Sequence, residues 1–121
     1  MRLLSPHERL SPAEYAAVRA SQPGHLLVDV REREHFSLGA IPGAVNVPMS
    51  RLHRGGPVPE LDAAPPDAPI YLVCRVGNDS QLAARKLRDR GLDAGGRRFI
   101  GDIAGGVRAW RDDVDATMPF L

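Results

Sequence analysis

The 121-residue chain has one cysteine, Cys74, so no disulfide can form within it. No apolar run approaches the roughly 20 residues that span a bilayer, and the opening MRLLSPHERLSPAEY has no signal-peptide apolar core. Neither sign of charge dominates: 16 Lys and Arg against 15 Asp and Glu leave a net +1, which gives no reason to expect nucleic acid or membrane as the main partner. Aromatics are scarce at 5%, and Trp110 and Phe99 read as core residues rather than a binding stripe. His7, His25, His35 and His53 show no ligand spacing with one another or with Cys74, so they read as surface or capping residues with no metal site. These absences leave a cytoplasmic protein, with residues 1–121 forming one domain and no cofactor expected in it.

What is present is an ordinary globular balance, 43% apolar and 26% charged. Ser11-Pro12-Ala13-Glu14 is a capping box with proline at the first helical position, and Leu10 and Tyr15 can staple it; the helix it starts should end by Pro23-Gly24. His25 to Val30 is a short continuous apolar run, the pattern of a strand buried on both faces. Arg31 to Leu38 reads as a short helix stopped by Gly39, and Val45 to Pro48 as a second strand. Residues 54–69, rich in Pro and Gly, read as a surface loop with at most one helical turn. Ile70 to Cys74 is the strongest strand, Asn78 to Arg90 a helix with Ala83, Ala84 and Leu87 on its apolar side, and Arg98 to Ile100 a further strand. Val107 to Arg111 should form a last helix with Trp110 packed inward. Arg85, Arg88, Arg90, Arg97 and Arg98 read as solvated surface, the alternative being a basic docking face. Strands alternating with helices predict an α/β domain with a mainly parallel sheet.

Cys74 ends the strongest strand and is followed by a short turn and a helix. Ligands of open α/β sheets bind outside the carboxyl ends of the strands. The segment Cys74-Arg75-Val76-Gly77-Asn78-Asp79-Ser80 is long enough to curl around an anion, and Gly77 permits the backbone angle that turns successive N–H groups inward. Asn78, Asp79 and Ser80 suit the start of the next helix, whose N-terminus favours negative charge. Each effect favours thiolate over thiol. A lone cysteine at a strand end can also be an inert buried residue; the glycine-bearing loop and the helix start argue for the reactive reading.

These residues resemble the rhodanese-like domains. LLVDVREREHFSLGAIPGAVNVP is similar to the family's N-terminal signature, IYLVCRVGNDS to its active-site strand and loop, and GGVRAW to its C-terminal Gly-Gly-x-x-x-Trp element. Ala40 departs from the histidine that many members carry there, a structural variation. The resemblance implies a sheet of about five strands with helices on both faces. It makes Cys74 the persulfide-forming nucleophile, with the backbone N–H groups of Arg75, Val76, Gly77, Asn78, Asp79 and Ser80 as the cradle for the transferred sulfur. Asp29 and Arg31 match the signature's Asp-x-Arg and are assigned to structural pairing.

A sharper resemblance joins CRVGNDSQ, LAARKL and DIAGGVRAWRDDVDATMPF to the C-terminal sulfurtransferase domain of the adenylyltransferase–sulfurtransferases. It implies that persulfide sulfur passes to the C-terminus of a ubiquitin-like sulfur carrier, for tRNA thiolation or molybdenum cofactor biosynthesis. The implied partners are that carrier, a persulfide donor such as a cysteine desulfurase, and an adenylyltransferase domain in the full-length protein. No ATP or zinc motif is present, so the chain reads as an excised domain or a short stand-alone relative, and Met1 is compatible with both. Asp79 occupies the place where thiosulfate-using members carry Arg or Thr, which favours a protein persulfide as donor. The alternatives are a generic thiosulfate sulfurtransferase and a catalytically silent docking module. A phosphatase of the same fold needs Cys-x5-Arg, and Ser80 stands at that place.

Overall fold

The computed structural model describes residues 3–119; the limits at Met1 and Leu121, and the Phe120 that ends the terminal motif, lie outside the described residues. The elements are β1 (Arg9–Leu10), α1 (Pro12–Ser21), β2 (Leu26–Asp29), α2 (Arg33–Phe36), β3 (Val45–Asn46), α3 (Met49–Arg54), β4 (Ile70–Val73), α4 (Asp79–Asp89), β5 (Ile100–Ile103) and α5 (Gly106–Asp113), with 3-10 turns at Pro6–Glu8, Pro59–Ala63 and Ala94–Gly96. The five strands form one sheet in the order β1-β5-β4-β2-β3, and every pairing is parallel.

β4 lies at the centre, in register with β2 from Leu26↔Ile70 to Asp29↔Val73 and with β5 from Ile70↔Ile100. Every residue of β2, β4 and β5 is buried, because helices cover both faces. Successive side chains of a strand point to opposite faces. Accordingly Ile70, Leu72 and Cys74 join Leu26 and Val28 in one core with Ala83, Ala84 and Leu87 of α4, while Tyr71 and Val73 join Leu27 in the other with Tyr15, Val107 and Trp110. This alternation sends the Cys74 side chain towards α4. From β2 the chain moves outward to β3, and from β4 it moves outward the other way to β5. The carboxyl ends of β2 and β4 therefore flank the crevice where doubly wound sheets bind ligands.

The α1 capping box forms as the sequence predicts: Glu14 N–H donates to Ser11 Oγ at 3.1 Å, and Ser11 N–H donates to Glu14 Oε1 at 2.8 Å. Leu10 and Tyr15 share one core. Arg19 of α1 lies over the rings of Tyr15 and Trp110, fixing α1 against α5. Asp29 and Arg31 form the expected structural pair, with Arg31 Nε and Nη2 donating to the carboxylate and Nη2 also reaching Gly39 O at 2.7 Å.

Several expectations need correction. The last strand is Ile100–Ile103, displaced from Arg98-Phe99-Ile100, because Arg98 turns inward and its Nε donates to Ala68 O. Arg98 is thus buried, and Arg88 is half-buried, bonding Ile100 O and pairing with Glu8; neither is simple solvated surface. The sequence reading has no counterpart for β1 or α3. Among the described residues no helix is long and apolar enough to cross a membrane.

Candidate active site

Cys74 follows directly on β4 and is 4% exposed. The chain turns at Gly77, whose φ of +96° lies in the left-handed region that favours glycine. A Cβ there would also come within 2.8 Å of Gly105 N and 3.0 Å of Arg9 Nη2. The turn points the Gly77 N–H at the Cys74 sulfur, N···Sγ 3.1 Å. An N–H donor on the sulfur stabilises negative charge there. The helix start follows as expected, with Asn78 at the N-cap position, although its side chain makes no capping bond.

Ser80, fully buried in the first turn of α4, stands on the other side of the sulfur. The Cys74 thiol donates to Ser80 Oγ at 3.4 Å, and the Ser80 hydroxyl donates to Asp102 Oδ2 at 2.7 Å. Asp102, on β5 and fully buried, also takes two bonds from Arg9 of β1, Nε to Oδ1 at 2.8 Å and Nη2 to Oδ2 at 3.0 Å. Arg9 Nη2 and Gln81 Nε2 both donate to Gly77 O at 2.9 Å, holding the turn from behind.

The loop is closed from a third side by α5. Val107 N–H donates to Cys74 O at 2.8 Å and Arg108 N–H to Arg75 O at 3.1 Å. This approach needs Gly106: a Cβ there would lie 2.5 Å from Cys74 O and from the Arg75 carbonyl carbon and oxygen. Cys74, Arg75, Val76, Asn78 and Asp79 line a pocket of about 250 Å³. Arg75, Val76, Asn78 and Asp79 are exposed around its mouth, whereas Gly77 and Ser80 are buried beneath it.

The seven residues singled out in the sequence thus meet at one place, in two roles: Arg75, Val76, Asn78 and Asp79 form the rim, and Gly77 and Ser80 touch the sulfur. Sequence reasoning missed Arg9, Gln81 and Asp102. Asp102 stands beside the quoted Gly-Gly-x-x-x-Trp element, and an aspartate inside an apolar strand is the signal that marks a buried, partnered carboxylate. Among the described residues no group of three or more His, Cys, Asp or Glu is placed to hold a metal.

Residues 11–113 match the rhodanese-like domain profile. The adenylyltransferase and sulfurtransferase Uba4 of Pyricularia oryzae is 46% identical over 98% of this chain, which spans 27% of that relative's length. Two solved structures superpose well. The human single-domain sulfurtransferase TSTD1 has a TM-score of 0.70 at 25% identity, with 88% of this chain and 96% of that one covered. A Rhodopseudomonas palustris protein of unknown function, described as a possible tyrosine phosphatase, has a TM-score of 0.68 at 30% identity, with 94% and 84% covered.

Proposed function

This chain belongs to the rhodanese-like domain family, and on that premise we propose that it is a sulfurtransferase domain carrying a persulfide on Cys74. The observation that carries the reading is the sulfur itself, held at a strand end by the Gly77 N–H and opening on a pocket. The thiolate attacks the terminal sulfur of a donor persulfide, forming a new S–S bond. The donor's S–S bond breaks, and its electron pair leaves with the donor thiolate. Charge on the terminal sulfur then faces the loop, where backbone N–H groups stabilise it.

Its likeness to the Uba4 proteins supports a ubiquitin-like sulfur carrier as acceptor, with an adenylyltransferase domain supplying the activated carrier, and a role in tRNA thiolation or molybdenum cofactor biosynthesis. The persulfide sulfur attacks the carrier's C-terminal acyl-adenylate, AMP departs, and an acyl disulfide to Cys74 results. Two external thiols then open it, becoming a disulfide while the carrier leaves as a thiocarboxylate and Cys74 returns to thiol. These 121 residues hold no second cysteine, so those thiols come from a separate reductant or from a cysteine outside this domain. A cysteine desulfurase persulfide is the proposed donor. Incubation with a desulfurase and cysteine should add the mass of one sulfur atom to the protein, and Cys74→Ala should abolish the addition. A persulfide surviving in Cys74→Ala rejects the assignment, and failure of the parent chain to load favours a silent docking module.

A phosphatase reading has less support. The place of the phosphate-gripping arginine holds Ser80, which is buried and bonded to Asp102. No turnover of an aryl phosphate is expected.

A further inference from the structure

Ser80 has one hydroxyl proton and two neighbours that can accept it. In the arrangement described above, the proton goes to Asp102 and the thiol proton of Cys74 goes to Ser80 Oγ. Once the thiol loses its proton to solvent, that pattern fails, because a sulfur without hydrogen would face the lone pairs of Ser80. Turning the hydroxyl towards the sulfur restores a donor there and withdraws one from Asp102. The carboxylate stays satisfied, since Arg9 keeps both of its bonds to it. When Cys74 has taken up sulfur and the charge has moved to the terminal atom, the hydroxyl can swing back.

We propose that Ser80 is a rotating hydroxyl donor to Cys74, and that Asp102 and Arg9 are positioning residues, Asp102 accepting its proton while the sulfur is neutral and Arg9 holding that carboxylate in place. The proposal rests on Cys74 being the nucleophile, but not on what it reacts with. It assigns a use to a fully buried carboxylate 22 residues from Ser80 and to an arginine 93 residues from Asp102. The other charged residues at the pocket are Arg75 and Asp79 on the loop, and α5 meets the loop through the backbone N–H groups of Val107 and Arg108. Arg75 and Asp79 are exposed, whereas Ser80 is buried against the sulfur.

Since Cys74 is the only cysteine, alkylation by iodoacetamide reads this sulfur alone and needs no sulfur donor. Ser80→Ala should move the rising limb of the alkylation rate to higher pH, with roughly a tenfold loss at neutral pH and full recovery in alkali. Asp102→Asn should move it the other way. The carboxamide oxygen then keeps the Arg9 Nε bond and the amide takes the Oδ2 place, where Arg9 Nη2 gives up its bond and keeps Gly77 O, while the amide donates to Ser80 Oγ and commits the hydroxyl proton to the sulfur. Loss of the Asp102 charge acts in the same direction, so the double variant separates the two causes. If the Asp102→Asn shift shrinks in the Ser80→Ala background, the effect passes through Ser80. A shift of equal size in both backgrounds, or an unmoved profile in Ser80→Ala, overturns the proposal. Should the buried carboxamide prevent folding, Ser80→Thr set against Ser80→Ala decides: the retained hydroxyl should hold the profile near the parent's, and equal displacement of both sinks the idea. Persulfide loading, measured separately, tests the sulfurtransferase reading.

Discussion

Asp79 stands exposed at the pocket rim beside Cys74, where a doubly charged substrate such as thiosulfate must approach. A partly solvated carboxylate repels such an anion by about 1 kcal/mol, so Asp79→Arg should raise thiosulfate turnover several-fold; an unchanged or lower rate would disprove the charge argument. Gly106 acts through shape. Its φ of +67° and the 2.5 Å approach of its would-be Cβ to the Cys74 and Arg75 carbonyls leave no space for a side chain. Gly106→Ala should cost about 1–3 kcal/mol in a denaturant titration and reduce persulfide loading, because α5 can no longer seat on the loop. At this scale the residues between Cys74 and Ser80 were legible, since a strand-end cysteine and a glycine turn lie together in sequence. Arg9 and Asp102 were not, because their meaning comes from a strand pairing between the two ends of the domain.

The elements read from sequence are those whose local signals and tertiary burial agree. β2 and β4 are continuous apolar runs because both faces are covered, and α1 begins at a capping box that forms in full. Ser11→Ala should lower stability by about 1 kcal/mol, seen as a reduced thermal midpoint. Backbone bonds from Ser11 and Ser5 hold the Glu14 and Glu8 carboxyls below the usual value of 4.5. A lowered carboxyl stabilises the fold above its unfolded value, so stability should fall as pH drops below 4.5, and by less in Glu14→Gln than in the parent. β5 was misplaced because Ile-Gly-Asp-Ile carries a glycine and an aspartate, both depleted in strands, and only burial and the Arg9 pairing make it one. β1 has two residues and a single partner strand, and α3 starts at Pro48 without a side-chain cap, so neither offers a local signal.

Across the whole molecule, helices seal the sheet on two faces, and Tyr15, Tyr71, Phe99 and Trp110 gather on one of them. Tyr15, Tyr71, Trp110 and His25 meet there edge to face, and burial pushes the Tyr15 phenol from 10.0 up to about 12. A raised phenol contributes its full stability below pH 10 and loses it as pH rises towards about 12. The thermal midpoint should therefore fall across that range, and Tyr15→Phe should lessen the fall; an identical decline in both proteins would exclude the phenol as its cause. The remaining consequence lies in the order of synthesis. Arg9 is made well before its partners, because the strand it pairs with and the carboxylate it holds come 93 residues later. Until Asp102 and Gly106 have emerged, a nascent chain displays Cys74 with neither the Ser80 proton acceptor nor the α5 lid in place. Long-range parallel pairings of this kind also form slowly. The thiol's working environment is thus assembled last, so a chain cut short before residue 100 carries a cysteine without its site.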